Sequence, residues 1–186
     1  MHGQTQWNVE GRIQGQIDTP LNENGRQMSL ALRNRLAGEQ ITAVYTSDLR
    51  RAIETAEPLA VAKGLRIQKD MRLREKRFRK VVNNSEYPLL PYSRAFETWN
   101  EVQVRMIAVM GEIAKGNPGG RVFVVSHSGA THMFINYVIE QTTDKRVYEG
   151  KRIAFNELVW NDDRWSIVSL NDVRNLEGDP PHGSGV

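Results

Sequence analysis

Short β-rich segments alternate with longer amphipathic segments along this 186-residue chain, and that alternation constrains the fold more than any other feature. Ile41 to Thr46 is typical of a strand, and the four consecutive apolar residues Val122 to Val125 are typical of a strand buried on both faces. Amphipathic periodicity predicts helices over roughly residues 23–37, 48–63, 95–115 and 130–140. We expect Asn22 to cap the first of these helices, Gly64 to end the second and Trp99 to face the core from the third. We therefore expect an α/β fold with three α/β/α layers and a mostly parallel sheet.

The last third of the chain adds an antiparallel element. Phe155 to Trp160 and Trp165 to Leu170 predict a hairpin that turns at residues 161–163 and closes the sheet. Residues 177–186 hold glycine and proline but no large apolar residue before Val186, which predicts a disordered tail. The expected organisation is one domain over residues 1–176, a length that is sufficient for a full core.

Composition excludes several classes of protein. The chain has no cysteine, which excludes disulfides and thiolate chemistry and fits a reducing compartment. It has no apolar run near the ~20 residues of a membrane helix, and its first residues are too polar for a secretory signal. We expect a cytoplasmic protein without a membrane partner, and a homodimer is one possible assembly.

The charge of the chain favours small anionic partners over nucleic acid. The net charge is only +3, which does not indicate a nucleic-acid tether. Most of the 25 basic residues are arginines, whose planar guanidinium suits phosphate and carboxylate. A bias toward arginine codons explains the same count equally well.

His127 stands where a phosphate site is expected in such a fold. It follows the strand Val122–Val125 directly and is succeeded by Ser128, Gly129 and a helix. A strand that turns through small residues into a helix directs backbone N–H groups and the positive end of the helix dipole toward an anion. The alternative is a histidine that only ends the strand.

Two further turns have a similar composition. His2 to Thr5 is dense in glycine, hydroxyl and amide groups, although a frayed terminus is the alternative. Ser47 is predicted to cap the next helix, whose first turn carries Arg50 and Arg51 against the helix dipole. Those arginines indicate either a ligand or a solvated pair. Together, two imidazoles, an arginine and backbone amides can bind a phosphoryl group, and a neutral imidazole can attack phosphorus.

Three blocks of the chain carry a family resemblance over residues 2 to about 176. They are His2-Gly-Gln-Thr-Gln-Trp-Asn8 with Gly11-Arg-Ile-Gln-Gly15, then Tyr45-Thr-Ser-Asp-Leu-Arg-Arg-Ala-Ile-Glu-Thr-Ala56, and Val124-Val-Ser-His-Ser-Gly129. This collinear set resembles the histidine phosphatase superfamily, the phosphoglycerate mutase-like proteins. The resemblance implies the phosphoglycerate mutase-like fold, with ligands at the carboxyl ends of the strands.

The resemblance also implies roles for four catalytic residues. His2 would be the nucleophile that becomes phosphohistidine, with its other ring nitrogen donating to a backbone carbonyl. Arg51 would bind the phosphoryl oxygens, and His127 would stabilise charge on the transferring group. Glu75 would protonate the leaving oxygen, although without the resemblance it is an ordinary surface glutamate. These roles predict an activity optimum at or below neutral pH.

The same resemblance implies a polar lining around the phosphoryl group. The expected substrate-binding positions are Thr5, Asn8, Arg12, Gly15, Ser128 and Gly129. Neither a metal nor another cofactor is implied. The expected partner is a phosphorylated small molecule.

The beginning of the chain departs from the family pattern. The family has an arginine before its first histidine, where this chain has Met1, and a short apolar strand before that arginine. We therefore expect the first central strand of the sheet to be missing and the chain to start about eight residues late, by ordinary strand length. A protonated α-amino group on Met1 would replace part of the arginine's charge but not its bidentate geometry.

The segment after Glu75 departs as well. The family continues with an aromatic-Gly-x-x-Glu-Gly pattern, whereas this chain has a basic run. Its members are Arg72, Arg74, Lys76, Arg77, Arg79 and Lys80. The run is either a solvated loop or a cap that recognises a second phosphate or a polyanion.

These features favour a metal-independent phosphatase that acts on phosphate monoesters of small molecules. Only about 25 loosely patterned residues, over roughly 70–94, are available to close over a substrate, so hydrolysis is favoured over mutase chemistry. Phosphoglycerate mutase activity is the alternative. A second alternative is a family member that binds phosphorylated ligands without turnover, because Met1 and the basic run depart from the family pattern.

Overall fold

The computed structural model describes residues 1–78, 97–141, 148 and 154–174. The helices in these ranges are α1 (Gln6–Val9), α2 (Glu23–Arg35), α3 (Arg50–Lys63), α4 (Trp99–Lys115) and α5 (Ser128–Glu140). The strands are β1 (Ile41–Thr46), β2 (Ile67–Lys69), β3 (Arg121–Val125), β4 (Phe155–Asn161) and β5 (Arg164–Asp172). A single 3₁₀ turn, Met71–Leu73, follows β2.

Local chemistry explains most helix boundaries. The side chain of Asn22 accepts a hydrogen bond from the Gly25 amide and so caps α2 as predicted. Gly64 ends α3 at φ 65°, a left-handed conformation that glycine adopts without steric cost. Thr98 and Glu101 form a capping box at the start of α4, which therefore begins later than the periodicity predicts.

β1, β2 and β3 form a parallel sheet in the order β2-β1-β3. Alternate residues of β1 face opposite sides of this sheet. Val44 packs with Ala52 and Ala56 of α3, whereas Tyr45 packs toward the cluster between α4 and α5. Helices cover both faces, so the three-layer α/β fold is confirmed.

The largest apolar cluster lies between α4 and α5. Val102 and Met106 from α4 pack with Phe134 and Ile135 from α5, each almost fully buried. Trp99 was expected in this core as well, but 43% of its surface is exposed. It stands at the first position of α4, where its ring approaches the start of α5 instead.

β4 and β5 pair antiparallel through a tight turn at Asp162 and Asp163, both with positive φ, which confirms the predicted hairpin. This pair forms a separate two-stranded sheet. Among the described residues, no strand pairs with the second edge of β3. A cavity of about 800 Å³ instead lies between β3 and β4, with walls from α2, α4 and α5.

The cavity explains one wrong expectation. Val122 to Val124 were predicted to be buried on both faces, but they are only half-buried. Alternating side chains do reach both helical layers, with Phe123 on the α2 side and Val124 on the α4 side. The remaining exposure arises because the open edge of β3 borders the cavity.

Several expectations fall outside the described part of the chain. The predicted tail over residues 177–186 lies there, as do Arg79 and Lys80 of the basic run. Within the described ranges, no helix has the length and apolar character needed to cross a membrane.

Candidate active site

The carboxyl ends of β1 and β3 bring Ser47 and His127 together. These strands are neighbours in the parallel sheet, so the residues that follow them meet at one edge. The hydroxyl of Ser47 lies 2.7 Å from Nε2 of His127, and both residues are buried. Ser47 was expected to cap α3, but the N-cap position belongs to Leu49, and the Ser47 hydroxyl contacts the histidine instead.

His2 lies beside this pair. Its ring centroid is 5.1 Å from that of His127, and its Nδ1 is 2.7 Å from the carbonyl oxygen of Gly3, the next residue in the chain. A carbonyl oxygen only accepts hydrogen bonds, so this contact places the ring proton on Nδ1 and leaves a lone pair on Nε2. The amide of Gly3 donates to the Thr55 hydroxyl at 2.8 Å, which anchors the segment to α3. The expected carbonyl contact of His2 is therefore present.

Arg51 contacts the same histidine from the first turn of α3. Its Nε donates to His2 Nε2 at 3.2 Å, and its two terminal nitrogens donate to the carbonyls of Ile17 and Gly15 at 2.7 and 2.8 Å. Only 1% of its surface is exposed. Burial lowers the pKa of Arg51 to about 10, against the opposing effect of nearby carboxylates, so it is cationic at neutral pH.

Gly15 shapes this loop in two ways. It adopts φ 53°, and an added Cβ would lie 2.9 Å from the Phe78 ring. A side chain here would both strain the backbone and displace Phe78. The carbonyl that binds Arg51 is thus presented by a turn that requires glycine.

His127 is neutral in the folded protein. Burial lowers the pKa of its imidazole well below the ordinary value, and the neighbouring Arg51 and His2 lower it further. Its Nδ1 is buried and has no hydrogen-bond partner among the described residues. Because buried polar atoms are nearly always paired in proteins, this nitrogen is the natural contact for a bound polar group.

Glu75 follows the 3₁₀ turn in the chain, and its side chain reaches the start of α5. Its two carboxylate oxygens accept hydrogen bonds from the amides of Gly129 and Ala130, at 2.9 and 3.2 Å. A side chain on Gly129 would clash, since an added Cβ would lie 2.6 Å from the Glu75 carboxylate and 2.8 Å from the Trp99 ring. In this structure the Glu75 carboxylate therefore binds the backbone amides that were predicted to face a phosphate.

The other predicted lining residues divide into two groups. Thr5 is fully buried, and its hydroxyl contacts the side-chain oxygens of Asn8 and Gln14 while it caps the short α1. Arg12 lies 3.8 Å from the centre of the Trp7 ring and pairs with a neighbouring glutamate, and Ser128 is exposed. Thr5 and Asn8 thus support the loop from within, whereas Arg12 and Ser128 lie at its surface.

The Met1 amino group does not supply the charge expected of it. Burial lowers the pKa of this α-amino group to about 6, so it is mostly uncharged at neutral pH. The basic run is also not one free cationic surface. Arg72 pairs with Asp70, and Arg74 pairs with Asp48.

Two residues at the site escaped prediction from the sequence. Ser47 contacts His127, a contact that its place after a neighbouring parallel strand could have indicated. Arg105 of α4 donates to the Glu75 carbonyl at 3.2 Å, and no local pattern signals that contact. Among the described residues, no three histidine, aspartate or glutamate side chains cluster so as to hold a metal ion.

Comparison with known proteins agrees with this geometry. Residues 2–173 match the family model of the histidine phosphatase superfamily, branch 1. The chain belongs to the histidine phosphatase superfamily. The matched range includes His2, Arg51 and His127, which lie together in the structure.

Relatives of this superfamily member include mutases and phosphatases. The chain is 31% identical to the probable phosphoglycerate mutase GpmB of Salmonella choleraesuis, over 95% of this chain and 92% of that protein. Its structure resembles YhfR of Bacillus stearothermophilus, with 26% identity, a TM-score of 0.81 and coverage of 95% and 96%. It also resembles a mycobacterial glucosyl-3-phosphoglycerate phosphatase, with 25% identity, a TM-score of 0.72 and coverage of 92% and 96%.

Proposed function

We propose that this protein is a phosphatase that hydrolyses phosphate monoesters of small molecules through a phosphohistidine on His2. The observation that carries the proposal is the environment of His2. Its Nδ1 is engaged by the Gly3 carbonyl, its Nε2 accepts a hydrogen bond from the buried guanidinium of Arg51, and the ring of His127 lies 5.1 Å away between centroids. A nucleophile held in one tautomer beside two groups that stabilise phosphoryl charge suits phosphoryl transfer.

In the first step, the lone pair of His2 Nε2 attacks the phosphorus of the ester. The bond between phosphorus and the ester oxygen breaks as the nitrogen–phosphorus bond forms. Glu75 in its acid form gives its proton to the departing oxygen, which leaves as an alcohol. Arg51 then pairs with phosphoryl oxygens instead of with the free Nε2.

In the second step, water attacks the phosphohistidine. Glu75, now a carboxylate, takes a proton from that water as the nitrogen–phosphorus bond breaks, and inorganic phosphate departs. His2 returns to its original tautomer. In this proposal the Nδ1 of His127, which has no hydrogen-bond partner among the described residues, donates to a phosphoryl oxygen in both steps.

Phosphoglycerate mutase activity is the second candidate. It is favoured by the similarity to the probable mutase GpmB, which extends over nearly the whole chain. A mutase and a phosphatase share the phosphohistidine, and they differ in whether the phosphoryl group passes to water or back to the substrate. The similarity to a glucosyl-3-phosphoglycerate phosphatase supports hydrolysis.

The test follows the phosphoryl group through both steps. With p-nitrophenyl phosphate, rapid quenching of the wild-type protein is expected to trap an acid-labile phosphohistidine before phosphate is released. His2→Ala should lower turnover at least about 1,000-fold, because the nucleophile is removed. His132→Ala is the matched control, since His132 lies on α5 against Tyr148, away from His2, and should turn over normally.

A second assay separates the two candidate reactions. Incubation with 3-phosphoglycerate should release inorganic phosphate, whereas formation of 2-phosphoglycerate would assign the mutase activity. If His2→Ala turns over at the wild-type rate, the phosphohistidine mechanism is wrong. If the wild-type protein binds inorganic phosphate but turns over no ester, it is a binding member of the superfamily.

A further inference from the structure

We infer that Arg105 is a positioning residue that holds Glu75 in the active site by binding the main chain of the segment around it. The inference rests on the proposed function, because it concerns the residue assigned as proton donor. Arg105 belongs to α4, and it reaches this segment from the face of the helix that meets the 3₁₀ turn.

Arg105 contacts the segment at two carbonyl oxygens. One terminal nitrogen donates to the carbonyl of Arg72 at 2.5 Å, and the other donates to the carbonyl of Glu75 at 3.2 Å. Residues 75–78 belong to neither a helix nor a strand, so the Glu75 carbonyl has no partner from regular structure. Side chains must therefore fix this part of the backbone.

Glu97 completes the arrangement. Its carboxylate binds Arg105 through both oxygens, at 2.5 and 3.0 Å, and also accepts the amide of Arg77 at 3.1 Å. The amide of Glu97 in turn donates to the Arg77 carbonyl. The two side chains are only 16% and 17% exposed, so each depends on the other for charge compensation. One ion pair thus holds the main chain on both sides of Glu75.

The main-chain contacts reach the chemistry through the Glu75 side chain. With its carbonyl held by Arg105 and by Gln16 at 2.9 Å, Glu75 extends its carboxylate to the amides of Gly129 and Ala130. These amides belong to the second and third residues after His127 in the chain. A shift of about 1 Å in a reacting group can cost about 100-fold in rate, so the position of this backbone controls proton transfer.

Arg72 provides a matched control. Its side chain also joins the segment to α4, by pairing with Glu112 at 2.7 Å, but it is 40% exposed and its hydrogen bonds go to Asp70 and Glu112 instead of Glu75. Replacing Arg72 therefore removes an arginine that links the same two elements. The difference between the two variants reports the contacts that only Arg105 makes, with the main chain of the segment and with Glu97.

The test uses two substrates that differ in their need for a proton. Nitrophenolate departs without protonation, whereas the alkoxide of glycerol 2-phosphate requires it. Glu75 also acts in hydrolysis of the phosphohistidine, which both substrates share, so the comparison uses kcat/KM, which reports the steps up to departure of the alcohol. For Arg105→Gln we expect kcat/KM to fall roughly 30- to 100-fold with glycerol 2-phosphate and less than about threefold with p-nitrophenyl phosphate. Arg72→Gln should change neither value by more than about twofold. In a Glu75→Gln background, Arg105→Gln should have no further effect on glycerol 2-phosphate.

An equal loss of kcat/KM on both substrates would overturn the inference, because a purely structural role affects every ester alike. An undiminished loss in the Glu75→Gln background would also overturn it. If Arg105→Gln does not fold, Arg105→Lys serves the same test, since lysine keeps the charge but cannot bind both carbonyls and Glu97 together. Failure of the proposed function is distinct from either outcome, because the wild-type protein would then form no phosphohistidine.

Discussion

β3 borders two very different regions of the molecule. At its carboxyl end, His127, Ser47, Arg51 and His2 contact one another or nearby carbonyls within 3.2 Å. Along its open edge lies the cavity of about 800 Å³, where no described strand pairs with it. The site is built from short polar contacts, whereas the cavity is lined by both polar and apolar side chains of the surrounding helices and strands.

The difference shows what each region requires. The site depends on the positions of a few backbone segments, and neighbouring turns supply these through hydrogen bonds to Gly3, Gly15 and Ile17. The apolar core depends instead on close packing over large areas. The polar site is therefore held by short hydrogen bonds although the core beside it borders a cavity.

The largest expected effect compares a side chain that is buried away from the cavity with one that borders it. Leu59→Ala should lower the free energy of unfolding by about 3–4 kcal/mol, because Leu59 is fully buried away from the cavity. Met106→Ala should cost about 2 kcal/mol, at the low end for a buried methionine, because Met106 borders the cavity. Urea unfolding of both variants measures the difference, and equal losses would show that the cavity is closed in solution.

A smaller effect concerns the buried histidine. Protonation of His127 is disfavoured in the folded state, so below the unfolded pKa of about 6.5 the unfolded chain binds the additional proton. Stability should therefore fall as the pH drops from 7 to 5, by at most about 1.4 kcal/mol per pH unit from this group. His127→Gln should remove that part of the slope in unfolding experiments. The lowered pKa of the Met1 amino group also makes stability fall as the pH drops, between pH 8 and 6. This contribution is the same in the wild-type protein and in His127→Gln.

The smallest effect concerns an ion pair at the rim of the site. Two hydrogen bonds from Arg74 lower the pKa of Asp48, so its stabilisation is present above about pH 4 and is lost as the pH falls further. Asp48→Asn should lower stability at pH 7 by less than about 1 kcal/mol, as for other partly exposed pairs. A pH series of melting temperatures should be flatter for the variant below pH 4. A variant as acid-sensitive as the wild-type protein would contradict this assignment.

Prediction from the sequence succeeded where neighbours along the chain decide the outcome. β1 has the predicted bounds, and Gly64 ends α3 as expected. It failed where a distant element decides. Ser47 contacts His127 eighty positions away instead of capping α3, and Trp99 lies over Gly129 instead of in the core. Local propensity carries no information about such partners.

The candidate site shows the same division. The residue types and spacing around His2, Arg51 and His127 predicted a phosphoryl site and its family, because the required side chains are local to three strand or loop ends. The tertiary structure alone decided which side chains position them, such as Arg105 behind Glu75 and Ser47 beside His127. It also decided the ionisation of His127, because desolvation depends on what surrounds the ring and not on the residues beside it in the chain.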